Sequence, residues 1–246
     1  MLFDKILKKL DAVDEPYTIL FFGDSSISGE SVHPNWRGIV EYVIKDRSEH
    51  ILSDWQKPYL LIRCVNAGID GGTTSQFLKY LPRDLKHFKP NLVVFMGGDN
   101  DIPINVPFDT TIDNLNKIRK LLSENTDDFI FSSGQKPKDE KHATANAKYL
   151  EVLGSQSLYR NEIFINLYDE FESRHFDLSK IYTYRLPDED AIANGLPIGS
   201  LDMHHTNRIG QCYVAQVILE KVFGIDFDPD LYLRTLDLAV KREPQY

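Results

Sequence analysis

Tyr17-Thr18-Ile19-Leu20-Phe21-Phe22-Gly23-Asp24-Ser25-Ser26 is a short apolar run that ends in a glycine turn and delivers a serine. A continuous apolar run of this length, without polar alternation, is the pattern of a strand covered on both faces. Open α/β sheets hold their ligands at the carboxyl edge of the strands. Ser25 therefore stands where a nucleophile would be displayed.

Four more runs of the same kind follow, at residues 60–66, 92–96, 129–131 and 163–167. Helical periodicity fills the gaps, at residues 36–51, 74–87, 110–123, 143–159 and 207–223. Strands alternating with helices imply parallel pairing through right-handed crossovers. The expected fold is a doubly wound α/β/α sandwich with a central five-stranded parallel sheet. Residues 1–246 are read as one domain, with an N-terminal amphipathic helix at about 1–12 and a C-terminal tail at about 225–246. Within that tail, Leu231, Leu233, Leu236, Leu238 and Val240 suit either a closing helix or a partner-binding one. Residues 133–142 and 171–200 read as loops.

The chain has 246 residues, 42% of them hydrophobic and 26% charged, with a net charge of −9. That excess of acid argues against a nucleic-acid or anionic-membrane partner. No run approaches the length of a membrane-spanning helix, and the N-terminal segment is broken by Asp4, Lys5, Lys8 and Lys9. Cytoplasmic localisation is the expectation. Cys64 and Cys212 are read as reduced, buried thiols, because two cysteines make neither a disulfide framework nor a zinc site.

Three further segments carry chemistry. Asn66-Ala67-Gly68-Ile69-Asp70-Gly71-Gly72-Thr73-Thr74 follows the second strand, and its glycines let backbone approach a ligand. Thr73 or Thr74 suits the N-cap of the next helix. Gly97-Gly98-Asp99-Asn100-Asp101 follows the third strand and brings the Asn100 amide to the edge where Ser25 lies. Ser200-Leu201-Asp202-Met203-His204-His205 precedes the last long helix. A carboxylate three residues before an imidazole can hydrogen-bond it and fix its tautomer.

Taken together, these segments resemble the SGNH, or GDSL-type, hydrolases. Gly23-Asp24-Ser25, Asn66-x-Gly68-x-x-Gly71-x-Thr73, Gly98-x-Asn100-Asp101 and Asp202-x-x-His205 occur in the family's order over nearly the whole chain. The spacing favours His205 over His204. Ser26 and Thr206 depart from the family's usual Leu and Pro, and Thr206 implies a less rigid histidine loop. The resemblance implies a serine-dependent carboxylic ester hydrolase that forms an acyl-enzyme and needs no cofactor or metal. It assigns Ser25, His205 and Asp202 as the triad, with an oxyanion hole from the Ser25 and Gly68 backbone N–H groups and the Asn100 amide. Asp24 is read as structural.

The expected substrate is a small ester with a short acyl group, including O-acetylated carbohydrate, with no long apolar insertion to hold a longer chain. Acyltransfer, lysophospholipid and thioester chemistry on the same site stay open. His33, Trp36 and Tyr184 are the candidate substrate contacts. Tyr182 and Arg185 are further candidates for a polar wall. Two readings of other classes remain: a metal-dependent phosphoesterase using Asp24, Asp99, Asp101, Asp202, His204 and His205, and a non-catalytic binding protein.

Overall fold

The computed structural model describes residues 1–12, 15–29, 32–193 and 195–239, with side chains to residue 235. Five strands, β1 (Tyr17–Gly23), β2 (Ile62–Gly68), β3 (Leu92–Met96), β4 (Asp128–Ser132) and β5 (Glu162–Ile165), form one parallel sheet in the order β2-β1-β3-β4-β5. In chain order the helices are α1 (Leu2–Ala12), α2 (Ser25–Ser28), α3 (Trp36–Leu52), α4 (Gln56–Leu61), α5 (Thr74–Phe88), α6 (Phe108–Asn125), α7 (Glu140–Ser155), α8 (Leu167–Ser173), α9 (Leu178–Ile181), α10 (Asp188–Ala193), α11 (Arg208–Ile218) and α12 (Pro229–Ala239). The sandwich expected from the sequence is the one observed.

Alternation along the strands sorts the core into two layers. Tyr17, Ile19 and Phe21 of β1, with Leu92, Val94 and Met96 of β3, face α1, α3 and α11. Leu20, Phe22, Val93 and Phe95 face the other way, onto α5 and α6. The register pairs Ile19 with Leu92 and Leu20 with Val93, so neighbouring strands send matching residues to each layer. Both faces are therefore covered, which is why the strands carry no polar alternation.

Several boundaries differ from expectation. The run at residues 60–66 does not begin a strand at Leu60: α4 continues to Leu61, and β2 starts at Ile62. Tyr59 and Leu60 are exposed helical residues, and apolar composition alone cannot distinguish the two states. Loop 171–200 contains the short helices α9 and α10, each too brief to show periodicity. The last long helix starts at Arg208, capped by Asn207, and its final turn, Leu219–Phe223, widens into a π-helix.

The tail forms α12, whose Tyr232 and Leu233 pack against the core while Leu231 is exposed. The Leu236 and Leu238 side chains and Val240 lie outside the described residues. Cys212 is buried and Cys64 half-buried, and both are free thiols. No helix of the described residues is long and apolar enough to cross a membrane.

Candidate active site

The chain order reverses direction beside β1, between β1 and β3, and the crevice at that switch point is where doubly wound sheets bind ligands. Ser25 begins α2 immediately after β1. Asp24 is its N-cap and accepts from Ser26 N at 2.9 Å. A side chain at Gly23 would sit 1.7 Å from the Met96 carbonyl oxygen. Glycine there lets β1 and β3 end side by side beneath the serine.

The turn that carries Ser25 is held by side-chain hydrogen bonds. Trp36 Nε1 donates to Ser26 O at 2.7 Å, and Arg37 donates to the carbonyls of Ile27 and Ser28. Trp36 N donates to Gln211 Oε1 at 3.0 Å, and Gln211 Nε2 donates to Thr206 Oγ1 at 2.9 Å. A chain of hydrogen bonds thus runs from the serine turn to the residue next to His205. Thr206 is fully buried within it. Asn207 adds bonds to Lys180 O and Thr183 Oγ1 and caps α11. The histidine loop is consequently fixed by side-chain bonds where the sequence led to an expectation of looseness.

His205 Nε2 lies 2.9 Å from Ser25 Oγ, and His205 Nδ1 lies 2.7 Å from Asp202 Oδ2. Asp202 Oδ1 accepts from the backbone N–H groups of His204 and His205, at 2.8 and 2.9 Å. Its own N–H donates to Tyr184 O at 2.8 Å. The hydrogen bond that His205 Nδ1–H donates to Asp202 raises the His205 pKa above the usual imidazole value, against the effect of burial. Burial pushes the Asp202 carboxyl up, but hydrogen bonds and charge from His205 outweigh it and hold the group below the ordinary carboxylate value. Asp202 is then ionised at neutral pH, and its bond keeps the Nδ1 proton in place, leaving Nε2 to accept from Ser25.

Ser25 and His205 open onto a cavity of about 500 Å³ lined mostly by polar and charged residues, with Pro103 and Pro137 among them. Asp70 and Gly71 line it after β2, Asp99 and Asn100 after β3, and Gln135 and Pro137 after β4. His142 and Asn146 come from α7, and His204 completes the wall beside His205. Asn100 Nδ2 donates one of its hydrogens to Gly72 O at 3.1 Å.

Gly68 is not brought to this cavity. Its N–H is donated to Asn66 Oδ1 at 3.0 Å, and a Cβ there would lie 2.3 Å from Ser28 N. It is the glycine on which α2 packs. Gly71, three residues on, is the one at the cavity wall.

The three candidate substrate contacts also fall elsewhere. Trp36 is fully buried against Phe21 as the clamp described above. His33 is exposed, and Tyr184 meets Asp202 through its backbone oxygen; neither lines the cavity. Tyr182 is buried with its hydroxyl donated to Lys136 O, and Arg185 pairs with Asp188 at 2.7 Å. Conversely, Asp70, Gln135, His142 and Asn146 were not singled out by sequence. His142 fell in the expected loop 133–142, whereas α7 starts at Glu140 and puts it one turn before Asn146; that four-residue spacing is the signal that could have found the pair.

The acidic residues near the site are dispersed. Asp101 is buried and accepts from Thr74 N, Thr74 Oγ1 and Thr111 Oγ1, tying α5 to α6. Asp24 and Asp99 line the cavity floor, and both carboxyls are raised, by burial in each case and for Asp99 also by the charge of Asp24. Among the described residues, no group of three or more His, Cys, Asp or Glu side chains is arranged to hold a metal ion.

A five-stranded parallel sheet of this order, with a Ser–His–Asp hydrogen-bonded chain at its switch point, defines an SGNH-type α/β hydrolase. Residues 19–218 match the family model of the GDSL-like lipase/acylhydrolases, and the chain belongs to that family. It is an SGNH-type esterase. Among solved structures it resembles the acetylxylan esterase Axe2 of Geobacillus stearothermophilus, at 18% identity and a TM-score of 0.59 over 87% of this chain and 96% of that one. It also resembles BT4096, a gut microbial diltiazem-metabolizing enzyme, at 18% identity and a TM-score of 0.55 over 85% of this chain and 47% of that one. No match to a curated protein was found.

Proposed function

We propose that the protein hydrolyses short-chain carboxylic esters through an acyl-enzyme on Ser25, with O-acetylated carbohydrate as the favoured substrate class. The observation that carries this reading is the unbroken hydrogen-bonded chain from Ser25 Oγ through His205 to Asp202 at the floor of an open cavity. Ser25 Oγ attacks the acyl carbon while His205 Nε2 takes its proton. The tetrahedral intermediate collapses as His205 returns that proton to the leaving alcohol oxygen. Water then attacks the acyl-enzyme by the same route, releasing the acid and restoring Ser25.

Asp202 holds the imidazole and stabilises its charged form. Asn100 has a second amide hydrogen beyond the one given to Gly72, and this serves the developing oxyanion together with the Ser25 N–H. Gly71 supplies the third donor in place of Gly68, whose N–H is already committed.

The cavity wall supports the substrate class. It contains no Leu, Ile, Val or Phe, so a long acyl chain would gain little by entering. A small acetyl group on a polar alcohol suits it, and the likeness to an acetylxylan esterase points the same way.

The test is hydrolysis of p-nitrophenyl acetate, butyrate and octanoate by the wild type and Ser25→Ala, with and without EDTA. The expected result is activity that falls with chain length, disappears in the variant and ignores the chelator. Activity surviving in Ser25→Ala would overturn the assignment.

A further inference from the structure

The two bonds of the triad are built differently. Asp202 and His205 are three residues apart in one loop, and Asp202 also accepts from the backbone of that loop. Ser25 lies 180 positions from His205 in the chain, at the start of α2. The 2.9 Å contact between Ser25 Oγ and His205 Nε2 therefore depends on how two distant segments are held against each other. Apolar packing supplies attraction without direction. Hydrogen bonds supply direction.

Gln211 of α11 makes two of them, one toward each segment. Its Oε1 accepts from Trp36 N at 3.0 Å, and its Nε2 donates to Thr206 Oγ1 at 2.9 Å. Trp36 opens α3, so its N–H has no partner within the helix. That N–H can only donate, which fixes the Gln211 oxygen on its side and the amide nitrogen on the Thr206 side. Trp36 Nε1 in turn donates to Ser26 O at 2.7 Å, one residue after the nucleophile, and Thr206 adjoins His205. Trp36 and Thr206 are fully buried and Gln211 is 5% exposed, so solvent has little access to compete for these bonds. Gln211 does not line the cavity and so acts through its neighbours.

We propose that Gln211 is a positioning residue for the Ser25–His205 half of the triad, holding the serine turn in register with the histidine loop through Trp36 and Thr206. The His205–Asp202 half is left to the loop itself. The inference rests on Ser25 being the nucleophile and His205 its base.

The test uses Gln211→Leu, Thr206→Val and their double variant, with p-nitrophenyl acetate as substrate. Titration to completion with a fluorophosphonate counts the competent Ser25 sites in each preparation, and rates are expressed per site. Each single variant should lose on the order of tenfold to a hundredfold in kcat/KM per site, the scale of loss that a misplacement of about 1 Å produces. The double variant should lose no more than Gln211→Leu alone, because the two residues act through one path. The acid limb of the pH–rate profile should keep its wild-type midpoint in all three, since Asp202 still holds the imidazole. Gln211→Glu should bring kcat/KM per site back to within about threefold of wild type, because its neutral carboxyl offers the same acceptor and donor.

Fewer titratable sites with an unchanged rate per site would make Gln211 a support of the fold and overturn the inference. So would additive losses in the double variant, a shifted acid limb in Gln211→Leu, or no rescue by Gln211→Glu. If Gln211→Leu yields too few sites to measure, Thr206→Val and Thr206→Ser carry the same comparison, with the loss expected in the first and not in the second. In all these cases the acyl-enzyme reading stands. Cleavage of p-nitrophenyl acetate that survives in Ser25→Ala would instead remove the foundation of both.

Discussion

His205 sits between two oxygens that ask different things of it. Asp202 favours the protonated ring, whereas attack by Ser25 needs Nε2 free. Because the Asp202 bond raises the His205 pKa, the acid limb of the kcat/KM profile should have its midpoint above the usual imidazole value. Activity is lost as pH falls through that midpoint and the ring becomes charged. Asp202→Asn removes the carboxylate that raises the pKa. The limb should then shift to lower pH, with a loss in kcat on the order of 10⁴-fold because the tautomer is no longer held. A pH–rate profile of the two proteins reads both effects. An unshifted limb in the variant would mean that another group titrates there.

At the scale of elements, the serine is placed by what α2 rests on. A Cβ at Gly68 would meet the backbone of Ser28, 2.3 Å from its nitrogen and 2.6 Å from its Cα, and backbone cannot rotate away. Gly68→Ala should therefore push α2 off β2, costing about 1–3 kcal/mol of stability and lowering kcat as Ser25 moves from His205. Chemical denaturation and steady-state kinetics of the variant measure the two consequences. A stable variant with unchanged kcat would show that α2 does not depend on that contact.

This glycine also marks where the sequence was ambiguous. Gly68 and Gly71 both lie between strand and helix, and spacing does not reveal which N–H is already taken. The strands were legible because burial on both faces leaves continuous apolar runs such as residues 17–22 and 92–96. The helix α4 was not, because its exposed Tyr59 and Leu60 extend the apolar run of β2. Ser25, His205 and Asp202, which the structure joins by hydrogen bonds, each lie in a short local motif. Gln135 and Asn146 belong to no motif, and only folding brings them to the serine.

At the scale of the whole molecule, the carboxyl edge needs a sheet that does not shear. Arg119 of α6 and Glu162 of β5 form a buried bidentate pair, with N–O distances of 2.8 and 3.0 Å. Gln156 Oε1 takes a third guanidinium hydrogen at 2.6 Å, and the group lies over the Phe131 ring of β4. This ties α6, α7 and the outer strands together beneath the wall that carries His142 and Asn146. Arg119→Met leaves the Glu162 charge buried without its partner and should cost about 3–5 kcal/mol. The double variant Arg119→Met/Glu162→Leu should recover much of that loss. Thermal or denaturant unfolding of the single and double variants checks the pair, and equal destabilisation in both would show that packing, rather than the stranded charge, sets the cost.

The central claim is that Ser25 is the nucleophile activated by His205. The most direct measurement is labelling with a fluorophosphonate, followed by mass spectrometry of the digested protein. One adduct should form on the wild type and map to Ser25. It should be abolished in Ser25→Ala and strongly slowed in His205→Ala. An adduct at another residue, or undiminished labelling of Ser25→Ala, would contradict the account.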